Sequence, residues 1–192
     1  MTNRKIKNPY SNFILDLSKY KFLGKGHNGS VYLMPDGKVV KICIKPKSCL
    51  KEYLILKKVK GSTYFPVAYF LCGNLMIRDY VAGENLKNYI KRSGLNREIT
   101  IELIKMLEEF KRLGFKKKDI RCKDIYIQKD GTLMIIDPKG SLWKEVNYPR
   151  HLCKGLEKLS VLNYFLSVLK NERPKLYKDW YPKLKNYFHN KT

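Results

Sequence analysis

The chain has 192 residues, of which 44% are apolar, and its formal charge of +23 comes from 40 Lys and Arg against 17 Asp and Glu. A chain of this length and apolar content is expected to bury a core and to fold as one domain, in one piece or in two lobes. Its start lacks the pattern of a signal peptide, and no apolar run approaches the roughly 20 residues that cross a bilayer, so we expect a cytoplasmic protein with no membrane span.

The basic excess raises the question of an anionic partner. The excess is mostly lysine and is spread along the chain, and no aromatic and basic platform of the kind that stacks bases is apparent. We therefore expect no specific nucleic-acid partner, but weak and salt-sensitive binding of acidic molecules.

The five cysteines contain no C-x-x-C pair; they are Cys43, Cys49, Cys72, Cys122 and Cys153. An odd number in a chain expected to be cytoplasmic predicts reduced thiols. His151 and Cys153 are too few to form a zinc site.

In the first half of the chain, the pattern predicts an arm followed by strands. Residues 1–19 are polar and lysine-rich, and we expect a loosely held arm or a short helix. From Tyr20, three short apolar runs predict an antiparallel meander, with "PDGK" as a hairpin turn. Residues 48–59 have helical apolar spacing and begin at Ser48, a suitable cap. Two more strands are expected around a Gly-Asn turn at residues 73–74.

The second half of the chain is predicted to be helical around one small hairpin. The hairpin covers residues 124–137, with its turn at Lys129-Asp130-Gly131. Apolar residues at helical spacing predict helices before and after it, in 83–92, 98–114, 151–170 and 175–188. Short strands combined with segregated helices indicate an α+β fold.

A glycine-rich segment lies between the first two predicted strands of the meander. It has the pattern G-x-G-x-x-G-x-V and consists of Gly24, Lys25, Gly26, His27, Asn28, Gly29, Ser30 and Val31. A dinucleotide-binding fingerprint needs a helix after the glycines, so that fold is disfavoured. Between two strands, the pattern resembles the loop of protein kinases that closes over the phosphates of ATP. The alternative is an ordinary glycine-rich hairpin.

Lys41 lies in the apolar strand that follows this segment. Strand alternation puts it on the same face as Val39, under the loop, and a buried lysine needs a partner. In the kinase resemblance, Lys41 matches the lysine that holds the α and β phosphates, and Glu52 matches its ion-pair partner on the next helix. The alternative is a surface lysine on an edge strand.

"RDYVAGENL" at residues 78–86 resembles the kinase hinge. The resemblance implies that Asp79, Tyr80 and Val81 offer backbone groups to adenine and that Gly83 opens the turn that follows. Arg78 falls at the gatekeeper position, which is usually apolar, so either the adenine pocket is modified or the register is shifted by one residue.

"KKDIRCKDI" at residues 117–125 resembles the kinase catalytic loop H-R-D-L-x-x-x-N-I. Lys117 and Lys118 replace its histidine and arginine, Asp119 is kept, and Asp124 replaces its asparagine. The resemblance implies that Asp119 orients the acceptor hydroxyl and that Asp124 binds Mg²⁺. Arg121, in the same loop, is a candidate catalytic residue together with Lys41.

"IIDPKG" at residues 135–140 resembles the strand that ends in D-F-G, with Gly140 one residue further from the aspartate than usual. Asp137 is thereby a candidate Mg²⁺ ligand. In isolation, Asp119 could be a turn residue and Asp137 a strand-end residue before proline, but the order of all these motifs along the chain favours the kinase interpretation.

The chain therefore resembles the minimal serine/threonine protein-kinase-like proteins of Gram-positive bacteria and, more distantly, the atypical RIO-type kinases. The resemblance covers about residues 20–145. It implies a two-lobed α+β fold, with an arm at 1–19, an antiparallel-sheet N-lobe at 20–80 and a reduced helical C-lobe at 81–192. ATP and Mg²⁺ are the implied cofactors. No A-P-E motif follows, and the segment after residue 140 is too short for an ordinary activation loop.

Three functions remain open on the sequence alone. The first is ATP-dependent phosphoryl transfer to a serine or threonine of a protein, including the chain itself. The second is a kinase for a small hydroxylated molecule, which usually needs acceptor-binding insertions that this length barely allows. The third is a catalytically silent kinase fold that binds a nucleotide or an acidic partner. The departures at Arg78, Lys117, Asp124 and "DPKG" favour it, whereas the retention of the motif residues argues against it; these are Lys41, Asp119 and Asp137.

Overall fold

The computed structural model describes residues 5–7, 14–117, 119–138 and 145–190. The chain separates into two compact units. The first consists of Met1–Lys60 and Pro66–Tyr80, and the second of Gly61–Phe65 and Val81–Thr192.

The first unit is built on antiparallel strands. Strands β1 (Lys5–Lys7) and β2 (Ile14–Asp16) pair with each other, and a short 3₁₀ turn, Leu17–Lys19, follows. The main sheet has the strand order β3-β4-β5-β7-β6. Its strands are β3 (Lys21–Gly26), β4 (Gly29–Leu33), β5 (Lys38–Cys43), β6 (Ala68–Cys72) and β7 (Leu75–Asp79).

The predicted three-strand meander is confirmed, because β3, β4 and β5 are neighbours in the sheet. The sequence predicts a loosely held arm or a short helix for residues 1–19, and the described part of this segment contains two strands and the 3₁₀ turn Leu17–Lys19. There, the segments 5–7 and 14–16 are strands that pair with each other, which satisfies backbone groups that a free arm would leave to water.

Helix α1 (Pro46–Lys58) follows β5. It begins two residues before Ser48, so the predicted serine cap was wrong. Proline suits the first turn of a helix, where its missing N–H would have no partner. The helix buries one face, which consists of Cys49, Glu52, Ile55 and Leu56.

A disulfide joins Cys43, at the end of β5, to Cys49 of α1. The prediction of reduced thiols was therefore wrong for this pair. The turn from strand to helix separates the two residues by six positions and brings their Cα atoms to 5.7 Å, which is within the range that a disulfide spans.

The second unit contains a three-stranded antiparallel sheet and five helices among its described residues. The strands are β8 (Glu84–Asn85), β9 (Ile125–Ile127) and β10 (Leu133–Ile135), in the order β10-β9-β8. The helices are α2 (Leu86–Ser93), α3 (Arg97–Arg112), α4 (Arg150–Glu157), α5 (Leu162–Glu172) and α6 (Pro174–His189). The predicted hairpin is confirmed by the pairing of β9 with β10.

Capping side chains fix the starts of two of these helices. Asn85 accepts a hydrogen bond from the backbone of Asn88 at the start of α2, and Asn96 accepts one from Ile99 at the start of α3. The single helix predicted for residues 151–170 was wrong. Ser160 has φ of 59° and separates α4 from α5, a backbone conformation that a serine rarely adopts.

The described residues thus form a five-stranded antiparallel sheet, a smaller sheet and six helices. The α+β class is confirmed, and this composition is compatible with a kinase-like fold. No helix in the described ranges is long and apolar enough to span a membrane.

Candidate functional site

A buried ion pair joins β5 to α1. The ammonium of Lys41 donates a hydrogen bond to Glu52 Oε2, and the two side chains are 8% and 2% exposed. In the sheet, Lys41 lies opposite Val31 of β4 and Met76 of β7, so the three side chains share one face with Val39. The structure therefore brings Lys41 and Glu52 together on the sheet face that carries Val31 and Val39.

The opposite face of the main sheet packs on a separate apolar core. Leu17, Val40 and Leu75 are buried there. The neighbouring residues Val40 and Lys41 thus point to opposite sides of β5, as strand alternation requires.

The glycine-rich segment forms the hairpin between β3 and β4. Gly24 pairs with Val31 and Gly26 pairs with Gly29, which leaves His27 and Asn28 in the turn. Lys25 and His27 are exposed.

Two of these glycines have different reasons to lack a side chain. A Cβ atom on Gly29 would lie 1.9 Å from the carbonyl oxygen of Ile42, so the close approach of β4 to β5 requires glycine there. A Cβ atom on Gly26 would meet no atom within 4 Å. The packing of the described residues explains Gly29 but not Gly26.

The structure places the predicted hinge at the end of β7. The N–H of Asp79 donates to Val67 O at 3.0 Å, and its carbonyl accepts from Arg78 Nη1 at 2.8 Å. The Asp79 carboxylate accepts from Val67 N at 2.9 Å and from the Tyr69 hydroxyl at 2.7 Å. The backbone and side chain of Asp79 thus have partners within the first unit.

The other hinge residues differ from one another in exposure. Tyr80 is 41% exposed and Val81 is 6% exposed. Arg78, at the gatekeeper position, is buried at 5% exposure opposite Val39. A charged side chain therefore lies on the sheet face that carries Lys41.

Asp119 is buried against the start of α4. Its Oδ1 accepts hydrogen bonds from the backbone N–H groups of His151 at 2.8 Å and Leu152 at 3.4 Å. Its Oδ2 contacts the ring Nδ1 of His151, and Arg150 Nε lies 3.8 Å away. The carboxylate therefore accepts from N–H groups that have no partner within the helix. Its negative charge also interacts favourably with the positive end of the α4 dipole.

Arg121 and Asp124 lie in the turn before β9. Arg121 Nε donates to Asp124 Oδ2 at 2.6 Å, and the arginine side chain is half exposed. Burial raises the pKa of Asp124, the bond from Arg121 opposes this, and the charge of Asp137 adds to the rise. The backbone of Ile136 also donates to Asp124 O at 3.1 Å, so the two candidate Mg²⁺ ligands lie on neighbouring segments.

These two carboxylates fit a magnesium site only in part. Within the described ranges, no group of three or more His, Cys, Asp and Glu side chains could hold a metal ion. Mg²⁺ commonly binds one or two carboxylates together with phosphate oxygens and water. The pair Asp124 and Asp137 therefore suits Mg²⁺ that arrives with phosphates. Lys118 and Gly140 of the motifs lie outside the described residues.

The sequence did not single out the neighbours of Asp119. In the sequence, His151 is a candidate only for a zinc site, and the contacts of Arg150 and Leu152 with Asp119 join residues about thirty positions apart. The disulfide was missed as well, although the short spacing of Cys43 and Cys49 was a visible signal.

One curated relative is similar to part of this chain. It is a protein of Bacillus subtilis (strain 168) named "Putative serine/threonine-protein kinase YrzF", 22% identical over 121 residues. The match covers 60% of this chain and 56% of the relative, so the chain spans about half the length of the protein it matches. No protein-family model matches the chain. The comparison supports a similarity between this chain and kinase-like proteins. It does not bear on the RIO-type resemblance, which stays a prediction.

Proposed function

We propose that this chain is a kinase-like phosphotransferase that binds ATP with Mg²⁺ and transfers the γ-phosphoryl group to a serine or threonine hydroxyl. The buried pair of Lys41 and Glu52 carries the proposal. A buried ion pair is often no more stabilising than apolar residues of similar size, so its presence calls for a reason other than stability. A lysine ammonium has three donors, and those not used by Glu52 can bind phosphate oxygens.

One further observation on the first unit supports phosphate binding. Gly26 lacks a side chain without a packing reason, as expected where backbone closes over a ligand. In this proposal Val31 and Val39 contact adenine, and Tyr80 and Val81 offer it backbone groups, since Asp79 already has partners.

The second unit supplies the candidate metal ligands. Asp124 and Asp137 would hold Mg²⁺, which neutralises charge on the transferred phosphoryl group when it is bound. Arg121 would hold the Asp124 carboxylate in place. We also propose that the arm, N-lobe and C-lobe divide at residues 19 and 80, and the division of the chain between Tyr80 and Val81 supports the second of these boundaries.

A catalytically silent nucleotide-binding protein is the second candidate. Asp119, the proposed orienting group for the acceptor, has a fully buried carboxylate that accepts two backbone N–H groups from α4. A carboxylate so used has less capacity to accept a proton from a substrate. This contact is the observation that favours a binding protein.

Transfer of label from γ-³²P-ATP, with Mg²⁺ and with the purified chain or added protein substrates, separates the two candidates. Asp119→Asn keeps one oxygen for the α4 N–H groups but removes the charge, and it should lower transfer roughly 10²- to 10⁴-fold in an active kinase. His151→Ala is the matched control, because it also removes a contact of this carboxylate while it keeps the charge. Transfer retained in His151→Ala but lost in Asp119→Asn supports the enzyme.

Two outcomes contradict parts of the proposal. Equal loss of transfer in both variants would contradict the orienting role of Asp119, because it would mean that Asp119 acts only through α4. ATP binding without any Mg²⁺-dependent transfer by the unaltered chain would favour the silent protein. Asp137→Asn should weaken Mg²⁺-dependent nucleotide binding in either case, since its role precedes transfer.

A further inference from the structure

A groove on the second unit lies outside every residue assigned above. It has a volume of about 400 Å³ and is lined by Tyr148, Lys183, Asn186, Tyr187 and Asn190. Tyr148 precedes α4, and the other four residues belong to the second half and the end of α6. None of the five lining residues is acidic.

Two tyrosines form a corner of this groove. The ring centroids of Tyr148 and Tyr187 are 6.5 Å apart, and their planes are inclined at 73°. Both residues are only half buried. The ring of Tyr187 also contacts that of Phe188, with 5.5 Å between centroids. Because Tyr187 is half buried and lines the groove, part of its ring faces the groove, where a further flat ring can stack, and the volume suits a single base with its sugar.

The polar lining suits a nucleotide. Asn186 and Asn190 are exposed and lie four residues apart, on the same side of α6, and each amide offers both a donor and an acceptor to a base edge. Lys183 pairs with Asp179, and these side chains are 42% and 51% exposed. Such an exposed pair contributes little, so the lysine can exchange its carboxylate partner for a phosphate.

The surroundings extend the positive charge beyond the groove. Residues 150–190 contain nine Lys and Arg against three Asp and Glu. Lys175 of α6 is exposed about two turns before Lys183, nearer to the groove side of the helix than Lys178 and Lys185. A free mononucleotide would use only the groove, whereas a longer polyanion also uses Lys175.

We infer that this groove binds one nucleotide of a single-stranded nucleic acid, with its base stacked on Tyr187 and a flanking phosphate on Lys183. Stacking accepts any base, because every base has an aromatic face, so the site discriminates little between sequences. The inference does not depend on the proposed kinase function.

Fluorescence anisotropy with labelled oligouridine and oligodeoxythymidine of about ten nucleotides tests the inference. Tyr187→Leu should weaken binding about fivefold or more, since a stacked base is worth that much, and Tyr187→Phe should retain it. Lys183→Gln should weaken binding more than Lys58→Gln, which removes the same charge from an exposed lysine of α1.

Three results would overturn the inference. Equal weakening by Lys183→Gln and Lys58→Gln, with none from Tyr187→Leu, would mean that net charge alone binds the oligonucleotides. Absence of oligonucleotide binding at low salt would show that the groove is not a nucleic-acid site. If uridine monophosphate binds as tightly as the oligonucleotide, the ligand is a mononucleotide and not a single strand. If Tyr187→Leu does not fold, Asn186→Asp replaces it, because it puts a negative charge at an exposed groove position and should also weaken binding.

Discussion

At the scale of single residues, Lys41 and Asp119 show how one resemblance can lead to two different environments. Both are buried charged residues in matching kinase motifs. Lys41 has a side-chain partner, Glu52, whose second oxygen has no hydrogen-bond partner among the described residues. Asp119 instead accepts backbone N–H groups from α4. The sequence motif predicts the position of a charged side chain. Its hydrogen-bond partners in the fold determine whether it can also bind a ligand.

The thiols are predicted to differ in reactivity. Burial raises the pKa of Cys122 to about 12 and that of Cys153 well above its usual value, and thiolates are the reactive form. Native chain treated with iodoacetamide should therefore be labelled at half-buried Cys72 only. Mass spectrometry after unfolding without reductant should find Cys122 and Cys153 labelled as well, with Cys43 and Cys49 labelled only after reduction. Labelling of Cys43 or Cys49 without reductant would contradict the disulfide.

Ionisation of Tyr64 is predicted to lower the free energy of unfolding at alkaline pH. Burial, followed by the charge of Glu102, raises the pKa of Tyr64 to about 12. Because the unfolded phenol titrates near its usual pKa of about 10, the stabilisation is complete below pH 10 and is lost as pH rises through 12. Urea unfolding at about pH 9 and about pH 11 should show that Tyr64→Phe loses less stability than the unaltered chain. Equal losses would show that the phenol is not shielded.

At the scale of elements, α4 packs tightly on the turn that carries Asp124. The Cys122 thiol donates to Leu152 O at 3.7 Å, and a Cβ atom on Gly155 would lie 2.5 Å from Cys122 Sγ. Gly155→Ala should therefore destabilise the chain by about 1–3 kcal/mol, although alanine is the better helix former.

A double-mutant cycle checks this contact by urea unfolding. Cys122→Ala removes the sulfur atom, so adding Gly155→Ala to it should be neutral or stabilising. Additive losses in the double variant would mean that the cost of Gly155→Ala comes from somewhere other than this contact.

Short sequence patterns correctly predicted those elements whose structure depends on neighbouring residues alone. The turn "PDGK" placed β4 beside β5, and the spacing of apolar residues placed α3. Signals failed where the determining contact is distant or atypical. Ser160 separates α4 from α5 in a backbone conformation that usually requires glycine, so the sequence does not signal the break. For the site, Lys41 and Glu52 were predicted as a pair from their motif, but the contacts of Asp119 join segments about thirty residues apart and leave no local pattern.

At the scale of the whole molecule, the charge of +23 is predicted to give every anion a background affinity that falls with salt. Binding measurements on this chain therefore need controls that remove one charge far from the proposed site. Lys58, exposed on α1, serves this purpose for both nucleotide and oligonucleotide binding.

The single variant Lys41→Met is a poor test of nucleotide binding. It leaves the Glu52 carboxylate buried without its partner, which should cost about 3–5 kcal/mol of stability. Replacing both residues by methionine removes both charges together and should leave the chain folded at similar stability. The double variant therefore separates loss of function from loss of fold.

The most direct test of the account is the melting temperature of the chain as Mg²⁺-ATP is increased at moderate salt. Because ligand binding to the native state alone stabilises it by mass action, the unaltered chain and Lys58→Met should show a melting temperature that rises with nucleotide. The double variant Lys41→Met/Glu52→Met should fold and show no rise. A rise of equal size in the double variant, or none in the unaltered chain, would contradict the claim that Lys41 and Glu52 form a phosphate site.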